Sequence, residues 1–69
     1  MPLIMLSLGE SACIRRISGP PPVRARLAEL GFVVGERVTV VAALGGSLIV
    51  QVKGSRVAVG HDMARRMMV

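Results

Sequence analysis

Apolar residues follow a helical spacing in one segment near the middle of the chain. Val23, Leu27 and Leu30 stand at positions i, i+4 and i+7, so on a helix they form a single apolar stripe. Prolines precede the segment, where a missing N–H costs a helix nothing. Gly31 follows the last apolar position and is typical of a helix end, because glycine adopts the left-handed conformation without a Cβ clash. The pattern predicts a short helix over residues 22–30.

Elsewhere the apolar period is close to 2, which indicates strands. Glycine-containing turns separate them, at Gly45-Gly46 and at Gly54. A helical turn is predicted near residues 62–66, and residues 3–8 are predicted to pack across the domain as an edge strand or arm. The predicted strands are 11–17, 37–43, 48–52, 56–59 and 67–69.

The alternation also predicts which side chains face inward. Val38 and Val40 share one face, Leu48, Val50 and Val52 share another, and Val57 and Val59 point inward. About five short strands joined by tight turns must curl to bury this face, because closure removes exposed edges. We therefore expect a mainly β fold, a small and partly open barrel, formed as one domain over residues 1–69.

Composition makes the expected core aliphatic, since 52% of the residues are hydrophobic but only 1% are aromatic. The one cysteine, Cys13, cannot form an internal disulfide, and we expect it to be a small core residue in a protein of the reducing cytoplasm. The first residues lack a basic segment typical of a leader, and no run approaches the roughly 20 apolar residues of a membrane span. We therefore expect neither a leader peptide nor a membrane-spanning segment.

The net charge of +5 would suit a nucleic acid, an anionic lipid or an acidic protein face, although a solvated basic surface is the simpler interpretation. Small basic barrels that bind nucleic acid stack bases on aromatic side chains. Phe32 is the single aromatic residue, and it is expected in the core. We therefore expect no nucleic-acid partner. A small basic barrel that binds nucleic acid ranks third among the functions considered, after the two described below.

No catalytic constellation is visible, because the serines are not accompanied by a nucleophile motif and no phosphate-binding G-x-x-x-x-G-K-[ST] sequence occurs. We expect no enzyme and no required cofactor. The weak candidates for metal ligands are His61, Asp62, Cys13 and Glu10, and none has the spacing of a preformed zinc site. No metal site is assigned; a weakly bound divalent transition metal, iron or zinc, is left open, through a site that a second chain or waters complete.

The order of the motifs resembles the FeoA family. The resemblance rests on Arg26-Leu27, Leu30-Gly31-Phe32 and Gly35 before a valine-rich strand, with Gly54 before a later strand, and it covers roughly residues 6–69. It implies an SH3-like barrel and a cytoplasmic accessory protein of bacterial ferrous iron uptake. It also implies a partner, the cytosolic GTPase part of the FeoB membrane transporter, through which alone the protein would reach a membrane. The residues expected to be structural are Arg26, Leu27, Leu30, Gly31, Gly35 and Gly54, with Arg26 paired to Glu29 or Glu36.

Aliphatic residues remain after a small barrel core is filled, and exposed apolar groups often mark a partner surface. The expected partner-binding residues are Arg24, Glu29, Phe32, Val33, Val34, Leu44, Gly45, Gly46 and Ser47. The loop at residues 43–47 is shorter than the family often carries. The resemblance leaves a second alternative, since the same fold occurs as the C-terminal domain of metal-dependent repressors: a metal-responsive domain that binds a divalent transition metal or forms a homodimer.

Overall fold

The computed structural model describes residues 1–69, and most of its regular structure is β. The strands are β1 Ser11–Cys13, β2 Arg16–Ile17, β3 Arg37–Leu44, β4 Ser47–Val52, β5 Ser55–Gly60 and β6 Met67–Met68. Three helical segments complete the fold: a 3₁₀ turn Leu3–Met5, α1 Pro21–Glu29 and α2 His61–Ala64. The mainly β prediction is confirmed, with six strands where about five were expected.

The strands form two antiparallel sheets. One has four strands in the order β1-β3-β4-β5, and the other pairs β2 with β6. The predicted alternation is confirmed along β4, where Leu48, Val50 and Val52 are buried and the residues between them are half-buried. Val40 stands opposite Val50, and because opposite residues share a face, both point into the core.

An extra residue interrupts the pairing of β3 with β4. Val40 pairs with Val50 and Ala42 pairs with Ile49, so Val41 has no partner of its own and forms a β-bulge. A bulge bends the strand and increases its twist. This bend lets the long β3 contribute to a curved sheet.

Both hairpins turn on two residues, as the glycines predicted. Gly45 has φ of 57° in the turn between β3 and β4. Lys53 and Gly54, with φ of 48° and 76°, join β4 to β5. Positive φ at both positions is the geometry of a type I′ turn, whose twist matches that of the strands.

Helix α1 begins at two prolines and ends where the sequence predicted, within one residue at each end. Gly31 follows the C-cap with φ of 102°, which confirms its left-handed role. The Phe32 N–H donates to the Leu27 carbonyl at 2.9 Å, so the chain folds back under the last turn. Phe32 fills the core there, and Leu30, the last position of the predicted apolar stripe, is 38% exposed.

The core is aliphatic except for the aromatic ring of Phe32. Met67 and Leu3 close it from the two ends of the chain, and no buried side chain is polar or charged. The buried residues are Leu3, Ile14, Leu27, Phe32, Val38, Val40, Leu48, Val50, Val52, Val59, Ala64 and Met67.

The predicted strand 11–17 is divided in two. Ile14 is buried, and its N–H donates to the Glu36 carbonyl at 2.9 Å while its carbonyl accepts from the Gly35 N–H at 2.7 Å. These bonds end the pairing of β1 with β3, after which β2 pairs with β6. One strand was predicted because alternation alone does not show a change of partner.

Cys13 is exposed, so the expectation of a core cysteine is wrong. It stands opposite the exposed Arg37, on the outer face of β1. At the N-terminus, the expected strand or arm is a 3₁₀ turn whose Leu3 is fully buried. Pro2 bridges to Met68, so the segment does pack across the domain.

Candidate docking surface

The four candidate metal ligands do not converge. No group of three or more His, Cys, Asp or Glu side chains is placed to hold a metal ion. Cys13 lies on the outer face of β1, and the Glu10 carboxylate accepts a hydrogen bond from the Ser7 N–H, which gives Glu10 a turn-stabilising role.

His61 and Asp62 line an open cleft of about 620 Å³ between α1, α2 and the β3–β4 turn. Arg66 lines the same cleft, and its positive charge opposes the binding of a cation. A structural zinc site has four protein ligands, most often cysteine and histidine. The residues of this cleft do not fit such a site.

A cluster of exposed apolar side chains lies at the C-terminal end of α1. Leu30, Val33 and Val34 are 38%, 36% and 64% exposed, and we call these three residues the helix-end patch. They are close in sequence, separated only by the turn at Gly31 and the buried Phe32. Large apolar groups gathered in one place on a small protein often mark a contact surface.

Two cationic side chains border the helix-end patch. Arg26 is exposed and stands one helical turn before Leu30, on the same side of α1. Lys53 reaches the patch from the β4–β5 turn: its Cδ lies 3.6 Å from the position of a Cβ on Gly31. Its Nζ also lies 3.8 Å from a carboxylate oxygen of Glu36. The patch therefore has an apolar centre and two cations at its rim, of which Lys53 is paired with Glu36.

The expected partner-binding residues divide into two regions. Leu44–Ser47, which we call the hairpin tip, ends β3 and begins β4, whereas Val52 at the other end of β4 lies next to Gly31. Five residue steps along a strand separate the two ends by about 17 Å. The hairpin tip is itself apolar in part, since Leu44 is 65% exposed.

Two of the expected assignments need correction, those of Phe32 and Arg26. Phe32 is fully buried, so its side chain offers no surface to a partner. Arg24 and Glu29 are both exposed, and because five residues on a helix correspond to about 140°, they lie on different sides of α1. Arg26 is exposed and forms no ion pair with Glu29 or Glu36; Glu36 pairs with Lys53 instead.

The other residues expected to be structural lie in the core or in turns. Leu27 is fully buried, and Gly31, Gly35 and Gly54 all have positive φ. Sequence reasoning missed Lys53 as part of the surface. Lys53 is distant in sequence from Leu30, Val33 and Val34, so no local pattern placed it beside them.

No helix has the length and apolar character needed to span a bilayer.

Comparison with known proteins agrees on one family. The sequence model of the FeoA domain matches residues 1–69. The chain is 29% identical over 68 residues to a protein of Methanocaldococcus jannaschii named Fe(2+) transport protein A, covering 99% of this chain and 83% of that one. It is also similar to the crystal structure of Stenotrophomonas maltophilia FeoA complexed with zinc, a prokaryotic SH3 domain protein, with 36% identity and a TM-score of 0.85. That alignment covers 99% of this chain and 87% of the other.

The same fold occurs in a larger regulator. A manganese-dependent transcriptional repressor superposes with a TM-score of 0.89 at 23% identity, over 97% of this chain and 39% of the repressor. At this identity the likeness concerns the fold alone. The expected SH3-like fold is confirmed.

Proposed function

Because this chain belongs to the FeoA family of ferrous iron transport accessory proteins, we propose that it docks on the cytosolic GTPase part of a FeoB-type membrane transporter. In this proposal the protein is cytoplasmic and non-enzymatic, and it reaches the membrane only through its partner. Docking changes the GTPase-linked transport cycle by favouring the conformation of the partner that it binds.

The helix-end patch is the observation that carries the proposal. Leu30, Val33 and Val34 offer apolar area to a partner, and Arg26 and Lys53 beside them favour an acidic face. Cationic rims raise the rate of encounter, whereas the apolar centre supplies most of the affinity. A domain of this size presents an interface near or below about 800 Å² per partner, so the complex is weak and reversible.

Metal binding is a separate question for this chain. The zinc complex belongs to the S. maltophilia protein, and the cleft at His61 and Asp62 lacks a converging ligand set and contains Arg66. We therefore assign no resident metal to the proposed activity. Iron is the cargo of the transporter in this proposal.

The decisive experiment measures ferrous iron uptake in cells that lack the gene. Wild type, Val33→Asp with Val34→Asp, and Leu44→Asp are each returned on a plasmid. Both variants place carboxylates at exposed apolar positions, two at the helix-end patch and one at the hairpin tip, so the Leu44 variant controls for the general effect of a surface carboxylate. Circular dichroism and thermal melting first establish that each variant is folded.

We expect rescue by wild type and by the Leu44 variant, and loss of rescue by the double variant. Full rescue by the double variant would remove the helix-end patch from the proposal. Loss with the Leu44 variant alone would move docking to the hairpin tip. Normal uptake in the deletion strain would remove the function itself.

A titration of the purified partner GTPase domain tests the contact directly. Amide resonances of Leu30 and Val34 should shift on addition of the domain, and the affinity should fall as salt screens the basic rim. Shifts confined to residues far from the helix-end patch would contradict the assignment.

A further inference from the structure

The cleft at His61 contains charged side chains that no other part of the chain neutralises. Asp62 and Arg66 both line it, whereas the one ion pair of the protein joins Lys53 to Glu36 elsewhere. Every hydrogen bond of Arg66 is made by its backbone, so its guanidinium N–H groups have no partner within the chain. Unpaired polar groups that line one cleft indicate a ligand with complementary groups.

Arg66 is the main anion-binding group of this cleft. It is half-buried, and its stem packs against the backbone of Gly19, where an added Cβ would lie 3.2 Å from Arg66 Cδ. No side-chain nitrogen of the protein is buried without a partner, so the guanidinium N–H groups remain accessible. A guanidinium holds a carboxylate by two parallel hydrogen bonds. Arg66 therefore favours an oxyanion as the ligand.

The charges around the cleft favour a ligand with net negative charge. Arg24 and Arg65 are exposed, and each adjoins a residue of the lining in sequence. With Arg66 they make three arginines against one acidic side chain, Asp62. This excess repels a cation and also the ammonium group of a free amino acid. The acidic side chain still offers an acceptor to a neutral N–H donor beside the anion.

The walls of the cleft suit an aliphatic side chain and an extended backbone. Val23 of α1 and Met63 of α2 are half-buried and line it together. Gly46 and Gly60 also line it, and a Cβ added to either would meet nothing within 4 Å. Because these glycines carry no side chain, another backbone can approach the wall closely. The volume of about 620 Å³ accommodates several residues of a peptide.

We propose that this cleft binds the carboxyl end of a partner polypeptide whose last residue is aliphatic. The terminal carboxylate pairs with Arg66, and the last side chain packs against Val23 and Met63. The backbone N–H of the last residue donates to Asp62. Such a chain end presents a carboxylate, an apolar group and an N–H donor within a single residue, and these are the three groups that the cleft complements.

This contact is separate from the docking proposed at the helix-end patch. The cleft lies at the N-terminal half of α1, and the seven residue steps from Val23 to Leu30 correspond to about 10 Å along the helix. Val33→Asp with Val34→Asp should therefore leave peptide binding unchanged. Failure of either proposal leaves the other intact.

The test is an NMR titration of the purified protein with the peptide acetyl-Ala-Gly-Ala-Leu, as the free acid and with an amidated C-terminus. We expect amide shifts at Gly46, His61 and Met63, and a Kd of about 0.1–1 mM for the acid. The amidated peptide, acetate and free leucine should each bind at least about tenfold more weakly, because each lacks the carboxylate, the apolar group or the neutral N–H. Equal binding of any of the three, or no shift with about 10 mM acid peptide, would overturn the proposal.

Variants of the protein supply the second arm, after circular dichroism has established that each is folded. Arg66→Gln should weaken binding of the acid peptide at least about tenfold and leave that of the amidated peptide unchanged. Arg65→Gln is the matched control, because it removes the same charge from a neighbouring residue that does not line the cleft, and it should change the Kd less than about threefold. Equal effects of the two variants would overturn the proposal.

Asp62→Ala distinguishes a peptide end from a bare anion. Loss of the carboxylate should weaken binding of the acid peptide about threefold, because the N–H of its last residue loses an acceptor. The same variant should bind acetate more tightly, because a repulsive charge is gone. Tighter binding of both would identify a simple anion site and would overturn the proposal.

Discussion

The side chain of Arg66 packs against the backbone of Gly19. A Cβ added to Gly19 would lie 2.8 Å from Arg66 Nη1 and 3.2 Å from its Cδ, and Gly19 has φ of 120°. The Ser18 N–H donates to the Arg66 carbonyl at 2.8 Å in the same place. These contacts attach the proline-rich loop to the segment that enters β6, and they set the direction from which the chain enters α1.

Gly19→Ala should lower the free energy of unfolding by about 1–2 kcal/mol, because a side chain at this φ is strained even where space is available. The guanidinium end of Arg66 is flexible and can move aside. A double-mutant cycle with Arg66→Ala should therefore recover less than about 0.5 kcal/mol of the loss. Urea denaturation measures all four proteins. If Arg66→Ala recovered most of the loss, the steric contact and not the backbone would be its cause.

Gly31, like Gly19, has a positive φ that favours glycine, but an added Cβ would not clash with its neighbours. A Cβ there would stand 3.6 Å from Val52 Cγ2, an ordinary contact, but φ is 102°. Gly31→Ala should cost about 1 kcal/mol, and Gly31→Val should cost more because a β-branched residue is strained in this region. Gly46→Ala is the control: nothing lies within 4 Å and its φ is not positive, so its midpoint should change little. A denaturant midpoint of Gly31→Val equal to that of wild type would contradict the interpretation.

Nucleic-acid binding should be weak despite the charge of +5. The only aromatic ring, Phe32, is fully buried and cannot stack on a base. Fluorescence anisotropy with single-stranded RNA and DNA should show affinity that falls steeply with salt, as counterion release requires, and a Kd above about 1 µM at about 0.15 M salt. Sub-micromolar binding at that salt would establish a recognition surface other than base stacking.

Local rules in the sequence were sufficient for much of the fold. Alternation identified the inward side of β4, and glycine positions identified both hairpins and the end of α1. These features depend on residues only a few positions apart, so they can be predicted from the sequence of one protein.

The errors arose where the outcome depends on distant residues. The usual burial of cysteine favoured the core for Cys13, but β1 pairs with β3 so that Cys13 stands opposite the exposed Arg37 on the outer face. Leu30 satisfied the helical spacing, but Phe32 occupies the space beneath the last turn. The surface around Gly31 likewise includes Lys53, which is distant in sequence and approaches only when the β4–β5 hairpin forms.

The bulge at Val41 makes β3 tolerant of a change in length. Counting strictly from Val38 and Val40, Leu44 would face inward, but the extra residue shifts the phase and leaves Leu44 opposite Ser47 on the outside. Loss of Val41 would straighten the strand while keeping Ala42 and Leu44 on the faces that they now occupy. A one-residue deletion elsewhere in a strand would exchange the inward-facing and outward-facing side chains of all later residues in that strand. At this position the deletion leaves their faces unchanged. Homologues could therefore differ by one residue here and still present the same hairpin tip to solvent.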